Sequence, residues 1–180
     1  MKTAVLFSGG KDSTLALHMA SECLDVECLL TLTSKNPESY MYHTPNIGLT
    51  RLQAKAIGIP LVEYRTDGRK EKEVDDLMDA LHECVREYGV DAVVTGGVES
   101  VYQGTRFQRV CSELDLWCFN PLWKMNQLRL LCECLDRGFK VMVSGIYAYP
   151  LDSSWLGRLI DEKAVKELEG LQEEYGISPS

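Results

Sequence analysis

The residues of this chain best suited to chemistry form a short loop near its start. Residues 8–13 read Ser-Gly-Gly-Lys-Asp-Ser, between the apolar run Ala4–Phe7 and the helical pattern Thr14–Glu22. This order predicts a strand, a glycine-rich turn and a helix N-terminus, where unpaired backbone N–H groups and the helix dipole favour an anion. Gly9 and Gly10 let a phosphate approach the backbone without meeting a Cβ atom. The pattern therefore predicts a phosphate-binding site.

The side chains of this loop add charge and hydrogen-bonding groups at the same place. Lys11 supplies a mobile cation, and Asp12 supplies a carboxylate able to hold Mg²⁺ or to orient a ligand. Ser8 and Ser13 supply hydroxyls. A tight strand-to-helix turn, with Asp12 or Ser13 as N-cap, is the simpler alternative. The match of the whole loop, in its expected context, favours phosphate binding.

Length and composition are those of an ordinary globular chain. With 180 residues, of which 45% are apolar and 26% charged, the chain is long enough for one domain with a real core. A formal net charge of −8 disfavours a large nucleic-acid surface, because such surfaces rely on Lys and Arg. The start leads into a strand rather than a signal peptide, and no apolar run is long enough to cross a bilayer. We therefore expect a cytosolic protein.

The cysteines do not form a metal or disulfide pattern. Their number is seven, which is odd, and most lie in apolar stretches, as is typical of small buried residues in a cytosolic protein. There is no Cys-x-x-Cys, and the three histidines are scattered. We therefore expect no structural zinc site.

Apolar runs alternate with helical patterns along the chain. The predicted strands are Ala4–Phe7, Val26–Leu32, Leu61–Tyr64, Ala92–Thr95, Trp117–Phe119 and Val141–Ile146. The predicted helices are Thr14–Glu22, Ile47–Ala56, Val74–Tyr88, Val101–Leu114, Gln127–Arg137 and Glu162–Tyr175. Continuous apolar strands that alternate with helices predict an α/β fold, in which a doubly wound parallel sheet is covered on both faces.

Ligands of such sheets bind beyond the carboxyl ends of the strands. The loops expected to converge there with residues 8–13 are Thr33–Thr44, Arg65–Lys72, Gly96–Ser100 and Tyr147–Leu156. We expect residues 1–118 to form a nucleotide-binding domain and residues 119–180 a small C-terminal substrate region. A single domain is the alternative.

The Ser-Gly-Gly-Lys-Asp-Ser loop after the first strand resembles the pyrophosphatase loop of the ATP pyrophosphatases. That superfamily includes amidating ligases, tRNA thiolases and lysidine synthetases. Further segments resemble the diphthine–ammonia ligases in order along essentially the whole chain: Glu38–Thr44 (Glu-Ser-Tyr-Met-Tyr-His-Thr), the acidic Gly68–Leu77, Gly96–Arg106 with its Tyr-Gln-x-x-Arg, Pro121–Trp123 and Leu151–Arg158. The resemblance implies a Rossmann-like fold of the adenine nucleotide alpha-hydrolase type.

The resemblance also implies an activity. Such a ligase amidates diphthine on elongation factor 2 with ammonia and ATP, giving diphthamide, AMP and pyrophosphate through an adenylated carboxylate. ATP and Mg²⁺ are the implied cofactors. The site must neutralise the negative charge of the leaving pyrophosphate, and the groups suited to that are Lys11, the Gly9 and Gly10 amides and Ser13. Asp12, with Mg²⁺, suits a bridge between phosphate oxygens.

Two pairs of side chains in the middle of the chain are candidate substrate ligands. Tyr40 and Tyr42 alternate, so each either stacks on adenine or on the substrate imidazole, or packs in the core. Glu73 and Asp76 lie one helical turn apart and suit a substrate with a quaternary ammonium, such as diphthine. Complementing the helix dipole is the equal alternative for this acidic pair.

The later segments offer further candidates. Tyr102, Gln103 and Arg106 follow the fourth predicted strand. Arg106 is a candidate catalytic residue that clamps the α-phosphate or the substrate carboxylate, and a plain exposed helical arginine is the competing interpretation. Asp152 and Gly157 follow the last predicted strand, where Asp152 either caps a short helix or contacts substrate.

The chain departs from the family pattern at two places. Gln108 stands where relatives often carry Glu, so we assign it no acid's role. Members of the family usually continue past a segment like Tyr175–Ile177 into an acidic glycine-rich motif that this sequence lacks. We therefore expect nucleotide binding with impaired turnover. A tRNA-modifying pyrophosphatase-loop enzyme and a non-catalytic adenine-nucleotide-binding module are the alternative functions.

Overall fold

The chain forms two units that hold separate parts of the sequence. The structure, a computed structural model, describes residues 1–36, 39, 41–42 and 46–179. The first unit is Met1–Trp123 and the second is Lys124–Ser180. The expectation that the later unit is a substrate region stays a prediction.

A five-stranded parallel sheet organises the first unit. Its strands are β1 (Lys2–Leu6), β2 (Asp25–Ser34), β3 (Leu61–Thr66), β4 (Ala92–Val94) and β5 (Trp117–Phe119), in the order β3-β2-β1-β4-β5. Adjacent residues of β1, Ala4 and Val5, point to opposite faces and both are 0% exposed. The sheet is therefore covered on both sides, and the predicted α/β class is confirmed.

Helices connect these strands and build the second unit. They are α1 (Lys11–Ser21), α2 (Thr50–Ile57), α3 (Lys72–Tyr88), α4 (Val101–Glu113), α5 (Gln127–Asp136) and α6 (Glu162–Tyr175). The apolar residues Val74, Leu77 and Leu81 of α3 recur at helical spacing and pack into the core of the sheet unit. No helix in the described part of the chain is long and apolar enough to span a membrane.

The strand order reverses at β1, which places a binding crevice between β1 and β4. β2 and β3 continue on one side of β1, and β4 and β5 lie on the other side. The loops after β1 and β4 meet there, because a Cβ atom added at Gly96 would lie 2.8 Å from the backbone nitrogen of Ser13. Only glycine lets the β4 loop lie this close to the start of α1.

The predicted strand Val141–Ile146 is wrong, since it does not join the sheet. All of its residues are described, and they make a single antiparallel bridge, from Met142 to Leu159 in the second unit. The reason is visible in its burial: Val141 and Val143 pack on the core of the second unit, whereas Met142 is 59% exposed. Such alternation is typical of a ribbon with one buried face, whereas a central parallel strand is buried on both.

The second unit has a core of its own. The buried members of this core are Leu131, Trp155, Ile160, Ala164, Val165, Leu168 and Ile177. α6 contributes its apolar stripe and is capped by Asp161, whose Oδ1 accepts a hydrogen bond of 2.7 Å from the Ala164 N–H. The helix ends at Gly176, which adopts a left-handed φ of 67°.

Candidate functional site

The loop after β1 depends on glycine at position 9. Gly9 has a φ of +75°, a conformation that residues with a Cβ atom rarely adopt. A Cβ atom there would also collide with Oε1 of Gln53 on α2. Nε2 of the same Gln53 donates a hydrogen bond of 3.0 Å to the Gly9 carbonyl. Helix α2 therefore holds the loop in place.

The N-terminus of α1 is open. Gly10 is the N-cap residue, so no side chain of the cap covers the N–H groups of the first turn. The helical pattern begins with the Thr14 N–H, which donates to the Gly10 carbonyl at 3.0 Å. The alternative with Asp12 or Ser13 as N-cap is therefore wrong. An open helix N-terminus presents N–H groups and partial positive charge to an anion.

The Ser13 hydroxyl shapes the loop. Ser13 is 5% exposed, and its Oγ donates to the Gly10 carbonyl at 3.1 Å. The same Oγ accepts a hydrogen bond from the Ser8 N–H and lies 3.1 Å from the exposed Ser8 hydroxyl. These contacts close the turn. That the two hydroxyls also contact a phosphate stays a prediction.

Lys11 and Asp12 form an ion pair at the mouth of the loop. Lys11 Nζ lies 3.1 Å from Asp12 Oδ1 and donates a hydrogen bond of 3.2 Å to Oδ2. None of the described residues donates a hydrogen bond to the buried Oδ1. The Lys11 ammonium is therefore the cation beside this oxygen, and binding of a metal ion there stays a prediction.

A carboxylate such as that of Asp12 has the oxygen donors that Mg²⁺ prefers. Within the described ranges, no three His, Cys, Asp or Glu side chains lie close enough together to hold a metal ion. Mg²⁺ is usually bound by one or two carboxylates together with substrate phosphates. That Asp12 takes this role stays a prediction.

A buried carboxylate holds the described part of the loop after β2. Glu73 of α3 is 1% exposed, and the Ser39 hydroxyl donates a hydrogen bond to its Oε1. Ser39 Oγ in turn accepts hydrogen bonds from the N–H groups of Met41 and Tyr42, at 3.2 and 3.0 Å. Gln103 Nε2 donates to the Met41 carbonyl at 2.9 Å. Helices α3 and α4 thus hold Ser39, Met41 and Tyr42.

The other members of the two predicted pairs lie in different settings. Tyr42 is 8% exposed and donates from its hydroxyl to the Glu73 carbonyl, so it packs in the core, as one of its two interpretations expected. Burial, reinforced by the charges of Glu73 and Asp76, raises the pKa of Tyr42. Asp76 is half-buried and accepts a hydrogen bond from Thr66 Oγ1. Tyr40 lies outside the described residues.

Arg106 sits in a cluster with Tyr102 and Glu71. Its guanidinium carbon lies 3.4 Å from the centroid of the Tyr102 ring, and Nη1 donates to the Tyr102 carbonyl at 3.1 Å. Nη2 forms an ion pair with Glu71, and this hydrogen bond lowers the pKa of the Glu71 carboxyl group. The Arg106 side chain is only 19% exposed, so the plain exposed arginine is the wrong interpretation.

Asp152 and Gly157 belong to the second unit. Asp152 Oδ1 accepts a hydrogen bond of 2.9 Å from the Ser154 N–H and caps the short 3₁₀-helix Ser153–Trp155. The hydrogen bonds from Ser154 lower the pKa of Asp152. Gly157 has a φ of 75° and donates from its N–H to the Val143 carbonyl. Asp152 is thus a cap, and substrate contact stays a prediction for both.

Several side chains at this edge were missed by sequence reasoning. Gln53 and Glu71 make the contacts given above, and Thr95 donates from its hydroxyl to Asn120. Thr95 directly follows β4, and Asn120 directly follows β5. A polar residue at the carboxyl end of a parallel strand is a sequence signal for a residue at the binding edge. A groove of about 590 Å³ lies nearby, lined by Val101, Gly104, Thr105, Gln108, Asn120 and Trp123.

Two protein-family models and several relatives match this chain. The diphthamide synthase N-terminal domain model matches residues 1–117, and the diphthamide synthase C-terminal domain model matches residues 126–180. The diphthine--ammonia ligase of Danio rerio is 31% identical over 98% of this chain and 76% of its own length. The Homo sapiens ligase is 28% identical over 98% of this chain and 73% of its own length.

Two further comparisons are more distant. The Schizosaccharomyces pombe diphthine--ammonia ligase is 28% identical over 99% of this chain but 32% of its own length. A solved structure, the predicted subunit of a tRNA methyltransferase from Methanocaldococcus jannaschii, has a TM-score of 0.48 and 21% identity, covering 99% of this chain and 90% of that one. From the two domain models and the full-length relatives, the chain belongs to the diphthamide synthase family.

Proposed function

We propose that this chain is an ATP-dependent ligase that amidates diphthine on elongation factor 2 with ammonia, giving diphthamide, AMP and pyrophosphate. The family and the names of its relatives support the amidation. The observation that carries the use of ATP is the open N-terminus of α1, which follows the Gly9 turn at the crevice between β1 and β4. Phosphates bind at such helix N-termini.

The first step is activation of the substrate carboxylate. A carboxylate oxygen attacks the α-phosphorus of ATP, the bond from that phosphorus to the bridging oxygen breaks, and pyrophosphate leaves with the electron pair. Lys11 and the first-turn N–H groups of α1 stabilise the charge that develops on pyrophosphate. Asp12 is the residue that would hold Mg²⁺, which neutralises phosphate charge when it is bound.

The second step forms the amide. Neutral ammonia attacks the activated acyl carbon, AMP leaves with the electron pair of the broken acyl–oxygen bond, and the new amide nitrogen loses a proton. Arg106 orients the carboxylate for the first step, since a guanidinium matches a carboxylate in geometry and charge. Glu73 and Gln103 act as positioning residues, because they hydrogen-bond to Ser39 and Met41 in the loop after β2.

The proposal is tested by the products of ATP cleavage. With ATP, ammonium and diphthine-bearing elongation factor 2 together, we expect AMP and pyrophosphate in equal amounts, and neither product when one substrate is omitted. Lys2→Ala is the matched control for Lys11→Ala, since Lys2 lies at the amino end of β1, far along the strand from the loop. Release of ADP and phosphate, or AMP release that ignores the protein substrate, would contradict the proposal.

A further inference from the structure

The carboxylate of Glu71 occupies Arg106 as an anionic ligand would. Arg106 is largely enclosed, with 19% of its side chain exposed, and its guanidinium stacks on the Tyr102 ring. Glu71 reaches it from outside, with 53% of its side chain exposed. The more accessible partner of such a pair is the one that moves without disturbing the core. Arg106 is therefore a fixed receptor, and Glu71 is an exchangeable partner.

Glu71 lies at the start of α3 with an unusual backbone conformation and without a capping hydrogen bond. Glu71 is the N-cap of α3, yet its side chain makes no capping hydrogen bond and turns to Arg106 instead. Its φ of 66° lies in the region that residues with a Cβ atom rarely adopt. Strained residues of this kind are concentrated at ligand-binding and switch positions. The ion pair with Arg106 is thus held against a local backbone preference.

We propose that the Arg106–Glu71 pair receives the charged end of the modified histidine, with Arg106 taking its carboxylate and Glu71 its quaternary ammonium. This inference rests on the proposed function, whose substrate carries both groups. The exchange replaces one ion pair by two, so every charge keeps an opposite partner as it loses water. It makes Arg106 and Glu71 specificity-determining residues for a zwitterionic side chain.

The neighbouring acidic residues are less suited to the ammonium group. Glu73 is buried and bonded to Ser39, and Asp76 accepts the Thr66 hydroxyl. Both carboxylates are therefore already used inside the fold. Glu71 is the acidic residue of this segment that lies at the surface and directly beside Arg106.

Arg106 also has the chemistry to hold a nucleotide phosphate, and the structure favours the carboxylate. In the chain itself, a carboxylate already binds Arg106, whose guanidinium is stacked on the Tyr102 ring. A guanidinium donates the same kind of hydrogen bond to a carboxylate and to a phosphate. Measuring the affinity for ATP as well as for the protein substrate shows whether Arg106 binds a nucleotide phosphate or the substrate carboxylate.

The test compares binding of elongation factor 2 with and without its diphthine to the full chain. We expect the wild type to prefer the diphthine form. Glu71→Gln and Arg106→Gln should each reduce that preference by at least about tenfold, as for loss of a hydrogen bond to a charged group, with unchanged ATP affinity. The reversed pair, Glu71→Arg with Arg106→Glu, should recover the melting temperature and not the preference.

A second ion pair, between Arg51 and Glu63, provides the control. Reversing the exposed Arg51–Glu63 pair, whose Nε and Oε2 atoms lie 2.5 Å apart, should leave the preference unchanged. A preference that survives in all three Arg106 and Glu71 variants would overturn the inference, and so would a loss of ATP affinity alone in Arg106→Gln. A wild type that binds ATP but does not distinguish the two protein forms would instead contradict the proposed function, and with it this inference.

Discussion

At the scale of single residues, Glu73 shows how burial redirects a carboxylate. Its side chain faces inward and accepts a hydrogen bond from the Ser39 hydroxyl, which itself accepts hydrogen bonds from the Met41 and Tyr42 N–H groups. A charge reversal there would test folding more than recognition, because an unpaired buried charge destabilises any fold. A substitution that keeps the shape of the side chain and removes only its charge or its acceptor is more informative.

We predict that Glu73→Ala lowers the free energy of unfolding by roughly 1–3 kcal/mol, because the partly buried Ser39 hydroxyl loses its acceptor. Glu73→Gln should cost less, since an amide oxygen still accepts that hydrogen bond. Asp75→Ala, on the exposed face of the same helix, is the matched control and should change stability by less than about 0.5 kcal/mol. Denaturant unfolding measures all three, and an equal loss for Asp75→Ala would contradict the assignment.

Lys11 carries a separate prediction about ATP. Lys11→Ala should weaken ATP binding by about tenfold or more, since it removes a charged hydrogen-bond donor from the phosphate site. The melting temperature should stay close to that of the wild type, because the side chain is partly exposed and outside the core. Titration calorimetry of Lys11→Ala and of the control Lys2→Ala measures the difference. Equal ATP affinity in the two variants would remove Lys11 from the site.

The ion pair of Glu71 predicts a pH dependence with a definite sign. The hydrogen bond from Arg106 lowers the pKa of Glu71, so the pair stabilises the fold above the ordinary carboxyl pKa of about 4.3. That stability is lost as the pH falls through the lowered value. Wild type should therefore melt above Glu71→Gln at about pH 7, and the two should converge in strong acid. If the difference in melting temperature between wild type and Glu71→Gln grew as the pH fell, the predicted sign would be wrong.

At the scale of elements, the contact between the β4 loop and α1 sets the site. Gly96→Ala should destabilise the protein and weaken ATP binding, because its Cβ would lie 2.8 Å from the Ser13 nitrogen and push the loop off the helix. Gly170→Ala is the control: a Cβ there meets open space among the described residues, and the change should stabilise α6 by about 0.5–1 kcal/mol. Thermal unfolding and ATP titration of both variants test this. If Gly96→Ala matched Gly170→Ala in stability and ATP affinity, the β4 loop would not depend on its close approach to α1.

Periodicity predicted most elements but not their partners. The bounds of β5 and α6 are those expected from the sequence, because apolar spacing and caps are local signals. The strand predicted at 141–146 was wrong, since a short apolar run has the same sequence pattern in a buried strand and in a ribbon with one buried face. The loop at 8–13 was found from its own residues. The Glu71–Arg106 pair was not, because 35 positions separate its members and only the fold joins them.

At the scale of the whole molecule, residues distant in sequence are gathered on one edge of one unit. The glycine-rich loop, the described residues Ser39, Met41 and Tyr42, and the Arg106–Glu71 pair all follow strands of the parallel sheet, whose carboxyl ends share an edge. The proposed reaction of ATP, ammonia and diphthine requires such convergence, because activation and amide formation need the reacting groups held together. The second unit has its own core, and its contribution to substrate binding stays a prediction.

Transfer of ammonia nitrogen to the protein substrate tests the central claim most directly. Diphthine-bearing elongation factor 2 is incubated with this chain, ATP and isotopically labelled ammonium, and the modified peptide is then read by mass spectrometry. We predict that label enters the modified histidine only when ATP is present, slowly with the wild type because of the impaired turnover expected from the sequence, and more slowly still with Lys11→Ala. Absence of label with the wild type, under conditions in which calorimetry shows ATP bound, would contradict the account.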